Sequence, residues 1–472
     1  MKDKYTDGFF NVSKQYGFLP METSLKNLSI NYKSLVELCN ELPIIKKNNQ
    51  LGILHYPNLI CEKVKELPNL LPLIIKLSSK DKCVLQTLFR HYAFLVSSYC
   101  LEPTYNSYIK NKSYDKGRKI IPQNISEPFC KIAELLGCYP WLDYHYSYGF
   151  GNYTILNQKD DYNYELGDIE VESLFCGDKD EINFIKVHIL INLYTPQLIT
   201  NLYNVFENSN LNRSDEVIEA LKNINKCVHL MNEKRKLMWS SSDVSRYGAY
   251  RIFLMGSKGN EKIFDDGIIY ENVNDKPIQY RGETGAQDNI IPTLDIFTGI
   301  TQYYPDTILT QYLHNLRDYR PKVVIDFFND LETESMNLKD KLIDLCGCKG
   351  LIYLLAIVNE VYLFRNGHWQ FVQNYIMKNT KYNVATGGTP LTMWLPNQIE
   401  ACLDCMDDIL LSINSSLLVS DNLEDEDKQI LGYLRIEQDR KRRLLTIQSL
   451  EFKKKMYDLQ TVIDANQDLT DN

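Results

Sequence analysis

Histidine is scarce in this 472-residue chain, with seven copies, and tryptophan is scarcer, with four. No apolar run reaches the roughly 18 residues that a membrane-crossing helix needs. The stretch 351–358 is too short and reads as a buried helix, so no membrane partner is expected. The charged start Met-Lys-Asp-Lys-Tyr-Thr-Asp7 has no apolar segment behind it, and no secretion signal is expected. The twelve cysteines are then expected as reduced, buried thiols of a cytoplasmic protein. Basic residues are in deficit, 52 against 61 acidic ones, for a net charge of −9. Phosphate binding needs a clustered basic surface, so this balance argues against a nucleic-acid partner. The glycine-bearing loops Arg281-Gly-Glu-Thr-Gly-Ala-Gln287 and Ala385-Thr-Gly-Gly-Thr-Pro390 lack the spacing of a phosphate cradle, which excludes nucleotide binding. Two close cysteine pairs, Cys346/Cys348 and Cys402/Cys405, could build a four-thiolate zinc site. Their flanks are apolar and helical rather than turn-like, which favours plain buried thiols.

What is present is an ordinary globular composition, 44% hydrophobic and 24% charged. The length supports two domains or more. Helical periodicity dominates. It marks 34–42, 62–77 (broken at Pro68 and Pro72), 82–98 and 127–136. A stretch rich in Tyr, Asn and Asp, 145–172, reads as a long connection. Helical spacing then returns at 180–206 (bent at Pro196), 213–240, 248–255, 290–303, 306–316, 321–331, 339–346 and 350–378. The expected fold is mainly α: a smaller N-terminal α-rich domain over 1–172, a large all-helical domain over 173–420, and a charged helical extension over 421–472. That extension opens with Glu424-Asp-Glu-Asp427 and carries Asp439-Arg-Lys-Arg-Arg443 and Lys453-Lys-Lys455. Its apolar positions Leu444, Leu445, Ile447, Leu450 and Phe452 predict packing against the body or against a second copy in a homo-oligomer.

Two histidines stand out by context. His188 lies in Phe184-Ile-Lys-Val-His-Ile-Leu-Ile191 and shares a helix face with Phe184 one turn earlier. His368 lies mid-way along the apolar segment 350–378, three residues after Arg365. An imidazole on a greasy helix beside a cation suits a haem iron, although a histidine on an apolar helix is more often a hydrogen-bonded core residue than a ligand. Tyr247 and Arg251, four apart, share one helix face. A phenol and a guanidinium side by side can clamp a carboxylate; a surface ion pair or a cap fits the same spacing.

Several further segments appear in a fixed order between about residues 115 and 400. They are Ile121-Pro-Gln-Asn-Ile-Ser-Glu-Pro-Phe129, Leu136-Gly-Cys-Tyr-Pro-Trp-Leu-Asp-Tyr144, Arg251-Ile-Phe-Leu-Met-Gly-Ser-Lys-Gly-Asn260, the Arg281 loop running into Leu294-Asp-Ile-Phe-Thr-Gly299, Arg365-Asn-Gly-His-Trp-Gln370, and Ala385-Thr-Gly-Gly-Thr389. The ordered set resembles the indoleamine 2,3-dioxygenase family. The resemblance implies a haem b cofactor, with O₂ and L-tryptophan or a related indole as partners. The haem would be non-covalent, since no Cys-x-x-Cys-His attachment motif occurs. By resemblance His368 is the proximal iron ligand and Arg365 holds a propionate. Asp295 stands behind the proximal side, and Thr284 and Gly285 are the small residues beside the haem. Arg251 binds the substrate carboxylate, Thr386 belongs to a loop that closes over the amino acid, and Phe129 is an aromatic wall of the indole pocket. The chain departs from the animal indoleamine enzymes at His188, where they carry serine, and at Arg246 and Tyr247, where they carry two phenylalanines. The Phe184/His188 and Tyr247/Arg251 pairs resemble instead the distal site of the related tryptophan 2,3-dioxygenases. There a histidine accepts the indole N–H and a Tyr/Arg pair holds the carboxylate. The activity so implied is ring-opening dioxygenation to N-formylkynurenine. Monooxygenation of a tryptophan-derived indole on the same scaffold, and haem binding without catalysis, are the alternatives.

Overall fold

Apolar residues spaced by three and four produce the mainly helical fold that the sequence predicts. The computed structural model describes residues 5–468 apart from 160–161, 307, 378–384, 389–390 and 418–422. In the N-terminal part, α1 (Lys33–Asn40), α2 (Leu59–Glu66) and α3 (Leu71–Ile74) pack on α4 (Lys82–Asn111) and α5 (Gln123–Leu136). Pro68 follows the end of α2 and Pro72 sits in the first turn of α3, so the break falls where proline demands it. The centre of α4, from Leu85 to Ser98, is buried on every face, its polar members Gln86 and Arg90 donating to the Gly151 carbonyl and Ser97 to that of Phe253. Among the described residues strand is confined to two small pairs: β1 (Ile120–Ile121) runs parallel to β4 (Ile269–Tyr270), and β2 (Tyr153–Ile155) runs antiparallel to β3 (Ile169–Val171).

The second pair corrects the expectation of a long connection over 145–172. Residues Tyr144–Tyr148 wind into a π turn whose first N–H groups are capped by Asp143, and the β2–β3 hairpin follows. The composition misleads because the polar-looking residues face inward. Tyr144, His145, Tyr146 and Tyr148 are all buried.

In the C-terminal part, Pro196 divides the 180–206 segment into α6 (Lys179–Asn192) and α7 (Thr195–Asn210). Next come α8 (Ser214–Ser241), then α9 (Val244–Tyr250) continued by a 3-10 turn, Arg251–Leu254, and α10 (Glu261–Phe264). The remaining helices are α11 (Ile290–Thr298), α12 (Ile308–Arg317), α13 (Lys322–Ser335), α14 (Leu338–Phe371), α15 (Leu391–Leu417) and α16 (Asp425–Asp468). The axis of this part is α14. It kinks at Gly347, whose φ of 58° suits glycine, and passes into a π turn at Val372–Met377. By length and composition the span Leu338–Ile376 could cross a membrane, yet 67% of its most apolar window is buried. Helices α8, α11, α15 and α16 cover it.

One hydrophobic cluster runs from Tyr5 to Leu434, so the core continues across residue 172. The expected boundary at 420/421 lies outside the described residues. Helix α16 docks on α14 and α15 through buried Leu431 and Leu434, a Tyr353–Asp427 hydrogen bond of 3.0 Å, and ion pairs from Arg442 to Asp404 and Asp407. The extension therefore packs against the body, while Ile436, Leu444 and Ile447 stay exposed. The side chains of Leu450 and Phe452 lie outside the described ones.

Candidate functional site

A cavity of about 260 Å³ opens between α6, α8, α9, α14 and the 283–288 loop. Its walls are largely apolar, with Ile191, Met238, Phe364, Phe371 and Val372 among them. His368 enters from the last turns of α14, just before the π turn; such turns often mark functional positions. Burial, then the nearby Arg235 and His188, pull its pKa down to about 4. It therefore presents a neutral imidazole, the form that ligates a metal.

His188 faces the same cavity from α6, whose first turn Asp178 caps by accepting from the Glu181 N–H. Its Nδ1 lies 2.8 Å from the Phe184 carbonyl. A carbonyl only accepts, so Nδ1 carries the proton and Nε2 is left as an acceptor. Burial also lowers its pKa, which keeps that tautomer neutral. A Cβ placed on Gly285 would meet nothing nearer than His188 Nε2, at 3.8 Å, so the acceptor looks across open space at that glycine.

Tyr247 and Arg251 straddle the junction of α9 and its 3-10 continuation, and both line the cavity. Burial raises the Tyr247 phenol to about 12, opposed by the charge of Arg251 and a hydrogen bond to it. The phenol is thus a neutral donor beside a guanidinium. Arg251 is 1% exposed, which rules out the surface ion pair, and its Nη1 lies 3.5 Å from the Tyr114 hydroxyl. Phe184 ties the pieces together, its ring centre 4.7 Å from that of His188 and 5.3 Å from that of Tyr247. Arg246 points away and pairs with Asp178 at 2.6 Å, so it takes no part in the lining.

Thr284, Gly285 and Thr386 also line the cavity. Hydrogen bonds tie the loops around them together: Gly256 N–H donates to the Thr386 carbonyl at 3.1 Å, and the Arg281 guanidinium donates to the Gly387 carbonyl at 3.1 Å. A Cβ at Gly282 would stand 2.2 Å from Gly256 N, so only glycine permits this approach. Thr389 lies outside the described residues.

On the proximal side Arg365 is paired with Asp295 at 2.6 Å, and both touch Tyr304. Arg365 also donates to Cys402 Sγ at 2.9 Å. Asp295 thus balances its charge within the fold, and a second arginine, Arg235, stands on the same cavity. That residue lines the cavity, stacks over Phe364 and Phe371, and forms no ion pair among the described residues. Gly367 gives it room, since a Cβ there would strike the Arg235 guanidinium.

Phe129 is not brought to the site. It lies in the core on α5, its ring 5.2 Å from Phe89 and 6.2 Å from Tyr92, because α5 turns that face toward α4 and away from the cavity. The four cysteines considered for zinc also stay apart. Each has its own partner: Ser214 for Cys346, Ile413 for Cys348, Arg365 for Cys402 and Thr298 for Cys405. No group of three metal-ligating side chains occurs among the described residues. Sequence reasoning missed Arg235 and Glu283. Arg235 sits among the charged positions of α8 with nothing to single it out, whereas Glu283 lies inside a quoted glycine motif, where a carboxylate next to two cavity-lining residues was a usable signal.

These residues fit a haem. The cavity offers one neutral imidazole on an apolar helix, apolar walls, an arginine that pairs with no carboxylate among the described residues, and a glycine that leaves the space before His188 open. Buried Arg365 Nε and Asp295 Oδ1 have no hydrogen-bond partner here, so polar capacity remains beside the cavity.

The family profile described as indoleamine 2,3-dioxygenase matches residues 7–389. Among individual proteins, indoleamine 2,3-dioxygenase 1 of Mus musculus is 27% identical over 380 residues, covering 80% of this chain and 86% of its own length. Indoleamine 2,3-dioxygenase 2 of Mus musculus is 24% identical over 373 residues, covering 78% of this chain and 84% of its own length. A myoglobin of Haliotis madaka is 23% identical over 262 residues, covering 55% of this chain and 66% of its own length. A match over more than three quarters of the chain, joined to a cavity lined by two neutral histidines, settles the class: the chain belongs to the indoleamine 2,3-dioxygenase family and is a haem-dependent oxidoreductase of that type.

Proposed function

We propose that the protein opens the indole ring of L-tryptophan, or of a closely related indoleamine, with O₂ to give N-formylkynurenine. The observation that carries this reading is the set of groups on one cavity: a Tyr247/Arg251 donor pair, an unprotonated Nε2 on His188, and His368 within electrostatic reach of His188. Bound haem supplies the activation of O₂. The chain's own residues supply binding and orientation. Arg251 and Tyr247 both donate to the substrate carboxylate, and the guanidinium can do so with two parallel N–H groups. His188 Nε2 accepts the indole N–H and fixes which ring edge faces the cavity centre. Phe184 and the apolar walls hold the ring, and Thr284 and Gly285 leave space beside it. Thr386, buried against Gly256, closes one side and keeps water out.

The similarity to a myoglobin favours a second reading, haem binding without catalysis. Haem-loaded protein given L-tryptophan and O₂ separates the possibilities by product mass. Gain of two oxygen atoms supports dioxygenation, gain of one points to a monooxygenase, and an unchanged substrate points to a binding protein.

A further inference from the structure

Glu283 follows Gly282 in the loop that lines the cavity, next to Thr284 and Gly285. It is 4% exposed, and among the described residues it makes no hydrogen bond and no ion pair. Buried carboxylates are nearly always paired, since an isolated charge in low dielectric is costly. Its oxygens are not among the enclosed, partnerless polar atoms, so what access they have is to the cavity itself. Its charge is felt at the hydroxyls of Tyr144, Tyr148 and Tyr247, which places the carboxyl at the distal end, beside the Tyr247/Arg251 pair. Arg251 and Glu283 thus line one cavity, a guanidinium and a carboxyl group that do not pair with each other. That is the complement of a zwitterion, with its carboxylate and ammonium a few bonds apart.

We propose that Glu283 binds the ammonium group of the substrate and makes the pocket specific for α-amino acids over indole acids without an amine. The proposal rests on the carboxylate clamp assigned to Arg251 and Tyr247. Burial and the neighbouring Asp143 push the Glu283 carboxyl up to about 8, so the empty site holds a proton there at neutral pH. The groups facing it are Asp143, Tyr144, Tyr148 and Tyr247, with Arg251 and His188 across the cavity. A docked ammonium stabilises the carboxylate, so binding releases a proton to solvent.

Three ligands test this on the haem-loaded full chain: L-tryptophan, indole-3-propionate (carboxylate, no amine) and tryptamine (amine, no carboxylate). Affinity is read from the Soret shift. Proton release is read by calorimetry in buffers of different ionisation enthalpy. Glu283→Gln should weaken tryptophan and tryptamine by about tenfold to a hundredfold, the range of one charge-assisted hydrogen bond. It should leave indole-3-propionate unchanged or tighter, and it should abolish proton release at pH 7. Glu283→Asp, which keeps the charge, should restore part of the loss. Equal weakening of all three ligands by Glu283→Gln, or an unchanged preference for tryptophan over indole-3-propionate, overturns the proposal. Failure of the clamp is seen separately: Arg251→Ala would then leave indole-3-propionate affinity intact, while tryptamine still reports on Glu283.

Discussion

Arg251→Ala is the sharpest test of how this pocket holds an amino acid. The guanidinium is 1% exposed and shares the cavity with the neutral phenol of Tyr247. Taking one partner out of a buried ion pair strands the other, at a cost of about 3–5 kcal/mol. At roughly 1.4 kcal/mol per tenfold, that is a loss of about two to three and a half orders of magnitude in kcat/KM for tryptophan. Tyr247→Phe removes a single hydrogen bond to a charged group, about 1.5–3 kcal/mol, so its loss should be smaller. Arg251→Met, which keeps much of the volume, should behave as Arg251→Ala does if charge is what matters. The assay is steady-state turnover with the Soret spectrum recorded in parallel, because His368 sits on a different helix and haem occupancy should not change. Tryptamine is the internal control, since it has no carboxylate to lose. A haem-replete Arg251→Ala protein with near-normal tryptophan turnover refutes the clamp, and so does an equal loss on tryptamine.

Three further outcomes are expected. His368→Ala should lose the Soret band or hold haem weakly; full occupancy with an unchanged spectrum would move the ligand to another histidine, His188 first. His188→Ala should narrow the discrimination between tryptophan and 1-methyltryptophan, which has no N–H to offer; a discrimination ratio equal to that of the parent refutes the acceptor role. His145, buried and held near pKa 3 by burial and by Arg320, is neutral in the fold but protonated in the unfolded chain below about pH 6.5. Its contribution is therefore intact above pH 6.5 and falls by roughly 1.4 kcal/mol per pH unit below it. His145→Gln can keep the hydrogen bond to Asn289 and should flatten the acid limb of a chemical-denaturation series by that slope; parallel curves for parent and variant would contradict it.

Much of this site was legible because two helical periods carry it. His188 follows Phe184 by one turn, and Arg251 follows Tyr247 by one turn. In the structure each pair shares the cavity. The helix breaks at Pro68, Pro72 and Pro196 were legible for a local reason, the missing N–H and the clash with the preceding turn. What could not be read is non-local. Residues 145–172 look solvent-loving by composition, yet their tyrosines and His145 are inward, because α4 and the β2–β3 hairpin enclose them. The Arg365–Asp295 pairing joins residues seventy positions apart, which no local spacing reveals. Phe129 was assigned by resemblance alone, and packing of α5 on α4 sends it elsewhere.

The electrostatic state of the pocket explains why so few residues carry recognition. Burial keeps His368, His188 and Tyr247 uncharged at neutral pH, each by raising the cost of its ionised form. In a cavity with apolar walls and neutral imidazoles the effective dielectric is below that of water, and a buried guanidinium attracts a carboxylate more strongly there than in bulk solvent. Arg251 is placed by its own backbone for that purpose. It falls where α9 tightens into a 3-10 turn, buried beneath Tyr247 rather than extended into solvent as an arginine at a helix end usually is. The neutral groups give orientation without competing for the substrate's charges. His188 can only accept at Nε2, because its Nδ1 proton is committed to the Phe184 carbonyl within the same helix. An indole that offered no N–H would leave that acceptor buried and unmet, a penalty of about 1–3 kcal/mol. On the proposed function, selectivity for the ring and selectivity for the amino-acid end arise from different physics, hydrogen-bond satisfaction in the first case and charge in a buried, largely apolar cavity in the second.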